Sequence, residues 1–590
     1  MARSKKQAAK ISRRGLGAYL HPQPKMDEAP WTLLPWFLAA AFVLRAGLAL
    51  SGDFVIHPDE IMQYLEQAHR LVFGSGVVYW EFFYGARSWL MPGLAAIALG
   101  ICSILGLDSP FYYIAAVKLL FCLLSLLIPW GMYVFGRRHF GENTARIALI
   151  AGAFWYELVG FAHKPMTEFV ATGLLFALLA AIPLSAGESR KRFIAAGILG
   201  VLLVAVRFQY APAAALIMLA VFLRGGPKAK LHMFLAASGT AVIVGLMETI
   251  TWGAPFYSYY FNFRMNLDVG AAREGESEAW IMPLWLLLSS CGLAVVAVFG
   301  VPGHFRRRMF VAAIALLILL PHMAQNHREY RFIFAVIPLW LLLSADVVAI
   351  WKTSREWHPR LVALTLSVPV SIMGVLNLLP LQHIVYTGFS RGTEQVNFLF
   401  NQDPSFALYR RISEDDSARG VADFTRPYFN TGGYYYLHHN IPLYDRHAWS
   451  ELAEGEAAEY VTHIITEDIV VPADAEVSAV QSRSGELIPV LRIGNRTITL
   501  PAFAESDDGT LIYWNQLGRS SELPQFSQET TLGRLALWKT DEETEVREWE
   551  SYEVFTAGGL EQVAEKILGR DAPKPPARYG VEFKDSDLPQ

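Results

Sequence analysis

The sequence predicts a polytopic α-helical membrane protein that carries a soluble α/β or α+β domain at its C-terminal end. From Trp31 to about residue 380, runs of roughly 15–25 apolar residues alternate with short charged clusters, which is typical of bilayer-spanning helices. Beyond residue 385 these runs stop, and charged and turn-forming residues return. The composition agrees, because 53% of the 590 residues are hydrophobic and the mean hydropathy is +0.29. A soluble enzyme of this length is excluded.

The same pattern divides the chain into four segments. Residues 1–30 form a basic tail, expected to be disordered and cytosolic, and residues 571–590 form a second disordered tail. Between them lie a membrane module over 31–384 and a soluble domain over 385–570, which we expect on the extracytoplasmic side. Within the soluble domain, short strands are predicted over 421–424, 460–466, 487–493, 497–500, 510–514 and 535–538, with helical patterns near 394–411 and 449–460. About eleven spans are predicted in the membrane module by length and hydropathy, near residues 31–51, 111–136, 144–162, 167–186, 193–208, 210–224, 232–251, 281–301, 309–325, 331–350 and 361–380.

The basic clusters between the runs predict the orientation of the chain. Arg137-Arg138, Arg190-Lys191-Arg192 and Arg306-Arg307-Arg308 should lie on the cytoplasmic side with the basic N-terminal tail. The run Leu90–Leu107 does not fit as a crossing, so we expect it to lie along the outer surface or to re-enter. The first loop, residues 52–110, is then extracytoplasmic. The acids near residue 60 and the basic block near residue 330 are expected to open into one cavity on that face.

Two adjacent acids directly follow the first apolar run, in His57-Pro58-Asp59-Glu60. A helix beginning here would have Pro58 at its first position and both acids in its first turn. The apolar spacing that follows predicts an amphipathic helix over 57–73, lying on the membrane. Two interpretations of Asp59 and Glu60 stay open: exposed acids that complement the helix dipole, or a catalytic pair.

A second polar cluster follows within the first loop, at Tyr79-Trp80-Glu81-Phe82 and Arg87-Ser88. Aromatic residues beside an acid and a base are typical of an interfacial belt. They also suit a pocket that stacks a sugar ring and hydrogen-bonds its hydroxyl groups. On the second interpretation Trp80, Glu81 and Arg87 bind substrate.

A polar block over Asn326–Phe332 separates two later apolar runs. His327 and Arg331, four residues apart, would share one face of a helical turn and converge on a phosphate, with Arg328 assisting. Glu329 would hold one of the basic groups in place. The alternative is a charged loop in which Arg328 and Glu329 pair in water.

Three further residues are candidates for substrate binding. Glu168 stands at the predicted start of a span, and Arg207 stands at the tip of a pair of short helices, where it could contact a phosphate. Asn262 belongs to a polar and aromatic segment over 252–280, which suits a carbohydrate or lipid headgroups. The sequence holds no cysteine–histidine metal pattern, no glycine-rich phosphate loop and no nucleophile elbow.

Taken together, these motifs resemble the mannosyltransferases of glycosyltransferase family 22, the group that includes the GPI mannosyltransferases. The resemblance rests on His57-Pro58-Asp59-Glu60, Tyr79-Trp80-Glu81 and Arg87-Ser88. The block at 326–332 is similar to the family's His-Lys-Glu-Tyr-Arg-Phe motif, with Arg328 in the lysine place, and Phe256–Leu267 is similar to a later luminal loop. The resemblance implies a GT-C fold, a polyprenyl-phosphate-linked sugar donor and a glycan or glycolipid acceptor.

The implied activity is inverting transfer of a hexose, mannose by resemblance, at the extracytoplasmic face. Asp59 would act as general base, Glu60 would position the acceptor or share that role, and His327, Arg328 and Arg331 would bind the lipid phosphate. We expect no cofactor, no metal ligands, no obligatory divalent cation and no nucleic-acid partner, with membrane lipids as the surroundings.

Two other functions remain open from the residues: a transporter or flippase for lipid-linked or small polar solutes, and a lipid-linked glycan ligase or polymerase. Against a transporter, the sequence shows no internal repeat and keeps few charges in mid-span. A bacterial inner membrane is favoured over the endoplasmic reticulum, because the long soluble tail lacks cysteine.

Overall fold

The computed structural model describes residues 31–55, 57–185, 188–272, 304–325, 328–358, 403–423, 431–445 and 461–467, a few residues in 280–286, 360–361 and 425, and the strands between 476 and 555. It forms two compact units. The first contains Met1–Ser51, Gly85–Met91 and Val117–Asn401, and the second contains Gly52–Tyr84, Pro92–Ala116 and Gln402–Gln590. Most of the predicted first loop therefore groups with C-terminal residues. The predicted tails and the boundaries at 384 and 570 lie outside the described residues.

The first unit is helical throughout its described part. Its helices are Leu34–Leu50, Leu127–His139, Glu142–Phe154, Tyr156–Gly160, Thr167–Ala181, Arg190–Val206, Ala211–Arg224, Pro227–Trp252, Tyr257–Ala272, Phe305–Met323 and Val336–Thr353. Two more helices, Leu90–Ile104 and Pro110–Ser125, have residues in both units. The run that did not fit as a crossing is therefore helical from Leu90 onward.

Length and composition identify the helices that suit a bilayer. Within the described residues, three stretches are long and apolar enough to cross one: Pro110–His139, Pro227–Trp252 and Val336–Thr353. Four shorter apolar helices accompany them: Leu34–Leu50, Leu90–Ile104, Thr167–Ala181 and Phe208–Arg224. The helical membrane class is confirmed at this level, and the number of about eleven spans stays a prediction. The predicted spans near 281–301 and 361–380 lie largely or wholly outside the described residues.

The predicted span over 144–162 is broken at Trp155, whose backbone is extended between helices Glu142–Phe154 and Tyr156–Gly160. A buried arginine occupies the break. Arg45 donates hydrogen bonds from its guanidinium to the carbonyl oxygens of Gly152 (2.9 Å) and Ala153 (2.7 Å). Basic side chains satisfy the terminal carbonyls of a helix in this way, so Arg45 terminates the helix inside an apolar run.

The second unit contains the β-structure. A mixed five-stranded sheet has the order β10–β11–β4–β2–β3, in which β2 is parallel to both β3 and β4, and β11 is antiparallel to both β4 and β10. The strands are β1 Val78–Tyr79, β2 Val421–Asp423, β3 Leu443–Asp445, β4 His463–Glu467, β5 Glu476–Gln481, β6 Leu487–Ile493, β7 Arg496–Thr499, β8 Phe503–Glu505, β9 Leu511–Tyr513, β10 Phe526–Leu532, β11 Leu535–Thr540 and β12 Val554–Phe555. Strands predicted near 421, 460, 487, 497, 510 and 535 correspond to β2, β4, β6, β7, β9 and β11.

Four short helices complete this unit in its described part: Glu66–Phe73, Trp80–Phe83, Pro404–Ser413 and Gly433–Leu437. The helix predicted over 394–411 is observed from Pro404, since the residues before 403 lie outside the described part. The helix predicted over 449–460 lies outside it as well. Strand β1 pairs in parallel with β12, which joins the first loop to the C-terminal end of the chain within one unit.

The prediction of an amphipathic helix over 57–73 is wrong in two respects. The chain forms a π-helical turn over Glu60–Leu65 before the α-helix begins, and Pro58 precedes it, accepting hydrogen bonds from the amides of Ile61 (3.1 Å) and Met62 (2.9 Å). Every residue from Glu60 to His69 is buried. The segment packs against the Gly433–Leu437 helix of the same unit, and its polar residues Glu60, Gln63 and Glu66 are buried, so it is not a one-sided surface helix.

Candidate active site

The two acids of the first loop lie at the start of the π-helical turn. Asp59 is the residue that precedes the turn and Glu60 is its first residue. The side chain of Asp59 is 12% exposed, and Glu60 is 3% exposed. His57 lies beside them, with its Nδ1 atom 3.3 Å from a carboxylate oxygen of Asp59. The exposed-acid interpretation is therefore wrong, and π-helical turns are frequent at functional sites.

A third carboxylate, Glu66, fixes this turn from the other end, and sequence reasoning missed it. Its carboxylate is fully buried and accepts hydrogen bonds from the backbone amides of Val77 and Tyr435, each at 2.8 Å. Gln67 donates to the carbonyl oxygen of Met62, inside the π-helical turn, at 2.9 Å. The acids at 59 and 60 thus stand on a segment that is anchored to the Gly433–Leu437 helix.

The environment of Glu66 predicts a pH-dependent stability. Burial raises the pKa of the Glu66 carboxyl from 4.5 to about 7. The hydrogen bonds from the backbone amides lower this pKa, but their effect is smaller than that of burial. Because the folded-state pKa is raised, the contribution of Glu66 to the free energy of unfolding is complete below pH 4.5 and is lost as the pH rises through about 7.

We expect the thermal midpoint of the wild-type protein to fall over that window relative to the midpoint of Glu66→Gln, which cannot titrate. Melting curves recorded at several pH values test this. If the difference between the two midpoints is the same at each pH, Glu66 does not titrate as described.

Gly433 gives a second test of the same contact. Its φ is +58°, and a Cβ atom there would lie 2.1 Å from a carboxylate oxygen of Glu66. Gly433→Ala should therefore destabilise the protein by more than the roughly 1–2 kcal/mol of left-handed strain alone. Gly74→Ala is the matched control, because Gly74 has φ +80° with open space around it. Equal losses of thermal midpoint in the two variants would show that the Glu66 contact contributes nothing.

A buried ionic cluster in the first unit brings together four of the predicted residues: Glu168, Arg207, Glu329 and Arg331. Glu168, in the first turn of Thr167–Ala181, is 1% exposed, and one of its carboxylate oxygens lies 3.0 Å from Arg207 and 3.6 Å from Arg331. Arg331 also donates from Nε to Glu329. Two carboxylates therefore fix two guanidinium groups in a place that is largely closed to solvent.

Both arginines pack against the ring of Phe332. The guanidinium carbons of Arg207 and Arg331 stand 5.1 Å and 5.2 Å from the centre of its ring, which is cation–π distance. Arg207 is 7% exposed, lies at the tip of the predicted helix pair, and its Nε has no hydrogen-bond partner among the described residues. The cluster thus presents a fixed, unused N–H donor.

The α-helical turn predicted to carry Arg331 is wrong. Glu329 has an extended backbone, and the turn that follows, Tyr330–Ile333, is a 3₁₀ helix. His327 itself lies outside the described residues. Arg328 donates from Nε and Nη2 to the carbonyl oxygen of Met323, at 3.2 Å and 3.0 Å, where it satisfies the end of the preceding helix.

Sequence reasoning also missed a buried acid next to this block. Glu157, in the short helix Tyr156–Gly160, is fully buried, and it accepts hydrogen bonds from the hydroxyl of Tyr330 and from the indole of Trp155 (2.9 Å). An acid inside an apolar run was the available signal. Its hydrogen bond fixes Tyr330, the neighbour of Arg331.

The remaining predicted residues are placed as follows. Asn262 is buried and donates to the carbonyl oxygen of Ala86 at 3.1 Å, so it has a structural partner. The carbonyl oxygen of Arg87 accepts a hydrogen bond from Trp252 at 3.0 Å. In the second unit, Glu81 is buried and Trp80 is half-buried. Their predicted contacts with a sugar stay predictions. Among the described residues, no group of three or more His, Cys, Asp or Glu is placed to hold a metal ion.

Comparison with known proteins assigns the family. A model of the Alg9-like mannosyltransferase family matches residues 36–438, well over half of the chain. The chain belongs to this family. Mannosyltransferase APTG1 of Arabidopsis thaliana is 24% identical over 452 residues, which cover 70% of this chain and 77% of that protein. GPI mannosyltransferase 3 of Drosophila melanogaster is 24% identical over 398 residues, 62% of this chain and 68% of that protein.

Among solved structures, ArnT from Cupriavidus metallidurans bound to undecaprenyl phosphate has a TM-score of 0.49 at 12% identity, covering 79% of this chain and 99% of that one. The family match and the two relatives identify the protein as a membrane glycosyltransferase of the mannosyltransferase class. The family gives no support to the transporter alternative. The relatives from Arabidopsis thaliana and Drosophila melanogaster are eukaryotic, so they give no support to the predicted bacterial membrane either.

In this mannosyltransferase, the family match ends at His438, directly after the Gly433–Leu437 helix. The matched range therefore includes the ionic cluster, the acids at 59 and 60, and the helix whose backbone binds Glu66. The part of the second unit that anchors the acids belongs to the family match, while the strands from β3 to β12 lie beyond it.

Proposed function

We propose that this mannosyltransferase takes mannose from a polyprenyl-phosphate donor and transfers it to a hydroxyl group of a glycan or glycolipid at the extracytoplasmic face. The buried ionic cluster is the observation that best supports a phosphate-bearing lipid donor. Arg207 directly follows the apolar helix Arg190–Val206, and its partner Glu168 lies in the first turn of the apolar helix Thr167–Ala181, so the cluster belongs to helices of the kind that a bilayer surrounds. The GT-C architecture and the extracytoplasmic side remain parts of this proposal.

The charge of the cluster decides how it would hold a phosphate. Two guanidinium groups and two carboxylates sum to zero, so the cluster does not attract an anion by net charge. It offers N–H donors whose directions are already fixed by Glu168 and Glu329, and such preorganised donors are most effective at a charge that develops during reaction. We therefore expect the cluster to bind the phosphate of the lipid donor and to stabilise it further as it departs.

The transfer needs one proton acceptor. Asp59 takes the proton of the acceptor hydroxyl, whose oxygen attacks the anomeric carbon as the bond from that carbon to the phosphate oxygen breaks. The bonding electrons leave with the lipid phosphate, which Arg331 and Arg207 stabilise through their N–H donors. Glu60 positions the acceptor or shares the role of base. Attack from the side opposite the phosphate inverts the anomeric centre, and no cofactor or obligatory metal takes part in this proposal.

Purified protein incubated with radiolabelled polyprenyl-phosphate-mannose and a glycolipid extract tests the choice of donor. We expect labelled glycolipid to form, with release of an equal amount of polyprenyl phosphate. GDP-mannose, a water-soluble donor, should give no product in the absence of a lipid intermediate. Product from GDP-mannose alone, or labelled donor moved across vesicles without transfer, would contradict the proposal.

A further inference from the structure

His322 is a buried histidine that the proposed reaction does not yet use. It lies in the last turn of the Phe305–Met323 helix and is 1% exposed. Its Nδ1 atom is 2.7 Å from the carbonyl oxygen of Ile318. A carbonyl oxygen only accepts hydrogen bonds, so Nδ1 carries the proton, and in the neutral ring Nε2 is an acceptor. Nε2 has no hydrogen-bond partner in the part of the chain that the structure describes.

The side chain of His322, with its unused acceptor, and that of Arg207, with its unused donor, pack against a common pair of aromatic residues. The ring of His322 is 6.2 Å from that of Tyr210 and 5.8 Å from that of Phe332, and the guanidinium carbon of Arg207 is 5.7 Å and 5.1 Å from the same two ring centres. A buried polar atom without a partner is costly, so two of them beside one aromatic pair indicate a place for a polar ligand.

The chemistry of the two atoms selects the ligand. A lipid phosphodiester offers only acceptor oxygens, and it can satisfy Arg207 but not Nε2 of His322. A hexose hydroxyl donates as well as accepts, and aromatic rings suit the apolar faces of a sugar. We propose that Nε2 of His322 accepts a hydrogen bond from one hydroxyl of the transferred sugar, while Nε of Arg207 donates to an oxygen of the same donor molecule.

This inference rests on the proposed function and deepens it. His322 becomes a residue that determines specificity for the sugar, whereas Arg331 and Glu168 act on the phosphate side of the donor. The hydroxyl that His322 contacts can be identified by experiment: its removal from the donor should slow the wild-type enzyme but not the His322→Ala variant. A water molecule bridging His322 and Arg207 is the competing occupant of the same space.

The test combines a set of singly deoxygenated polyprenyl-phosphate-mannose donors with His322→Ala and with His322→Gln, which keeps an acceptor. We expect one deoxygenated donor to lower kcat/KM of the wild-type enzyme by about tenfold or more, since a buried acceptor loses its partner. His322→Ala should have the same kcat/KM for this deoxygenated donor as for the complete donor. His322→Gln should again prefer the complete donor, but by less than the wild type does. His232→Ala, on the Pro227–Trp252 helix, is the control and should discriminate as the wild type does.

Two results would overturn the inference while leaving the proposed function intact. One is a wild-type enzyme that transfers mannose but uses every deoxygenated donor equally well, a result that does not depend on the folding of any variant. The other is the same loss in the wild type and in His322→Ala, which is expected if Nε2 holds only a water molecule. Failure of the wild type to use polyprenyl-phosphate-mannose at all would overturn the proposed function, and the inference with it.

Discussion

Replacing Asp59 by Asn is expected to lower the rate of mannose transfer by a factor of roughly 10²–10⁴, the usual effect of losing a general base. Asn has nearly the same shape as Asp but cannot take a proton from the acceptor hydroxyl. Because the donor phosphate is assigned to other residues, the affinity for polyprenyl-phosphate-mannose should be unchanged. Single-turnover transfer and equilibrium binding of the labelled donor, measured on the same preparation, separate the two properties.

Asp53→Asn is the matched control for this substitution. Asp53 is also a buried carboxylate of the second unit, but it is paired with Arg410 at 2.6 Å. Its loss should lower the thermal midpoint and leave the transfer rate of the folded enzyme near that of the wild type. If Asp59→Asn turns over at a wild-type rate, or if both variants lose activity equally, Asp59 is not the base.

Replacing Arg331 is expected to have the second largest effect. A hydrogen bond from a charged donor to the phosphate contributes roughly 1.5–3 kcal/mol, so Arg331→Gln should raise KM for the donor, or lower kcat, by about 10- to 100-fold. Arg331→Lys should recover only part of this loss, since a lysine lacks the forked geometry of a guanidinium. Steady-state kinetics with varied donor concentration measure the effect.

A charge-balanced variant separates this effect from misfolding. Arg331 pairs with Glu329 and Glu168 in a buried place, and a lone buried charge costs roughly 3–5 kcal/mol of stability. The double variant Arg331→Gln, Glu329→Gln removes one charge of each sign and should melt closer to the wild type than Arg331→Gln does. It should still bind the donor weakly. Recovery of donor binding in the double variant would remove Arg331 from the phosphate site.

Local patterns in the sequence predicted the elements that local forces determine. The apolar runs predicted the helices, the alternating segments predicted strands such as β2, β4 and β11, and the short pair of helices placed Arg207 at their tip. The adjacent acids at 59 and 60 were identified because an acidic pair after an apolar run is unusual. These features need no knowledge of distant residues.

Contacts between distant residues were not predictable in the same way. Glu66 is bound by the amide of Tyr435, 369 positions away, so its burial has no local signal. The turn near residue 330 was predicted to be α-helical from the spacing of His327 and Arg331, but it is a 3₁₀ helix. Its first residue, Tyr330, donates a hydrogen bond to Glu157, which lies 173 positions away in the sequence. His322 is one polar residue in an apolar helix, and no local pattern indicates that its ring and Arg207 contact the same two aromatic residues.

The central claim is a direct displacement, in which a hydroxyl activated by Asp59 attacks the anomeric carbon as the lipid phosphate leaves. The anomeric configuration of the product tests it most directly. NMR of the newly formed mannosyl linkage, compared with the configuration of the polyprenyl-phosphate-mannose supplied, should show inversion. Retention of the donor's configuration would require an intermediate step on the enzyme and would contradict the mechanism.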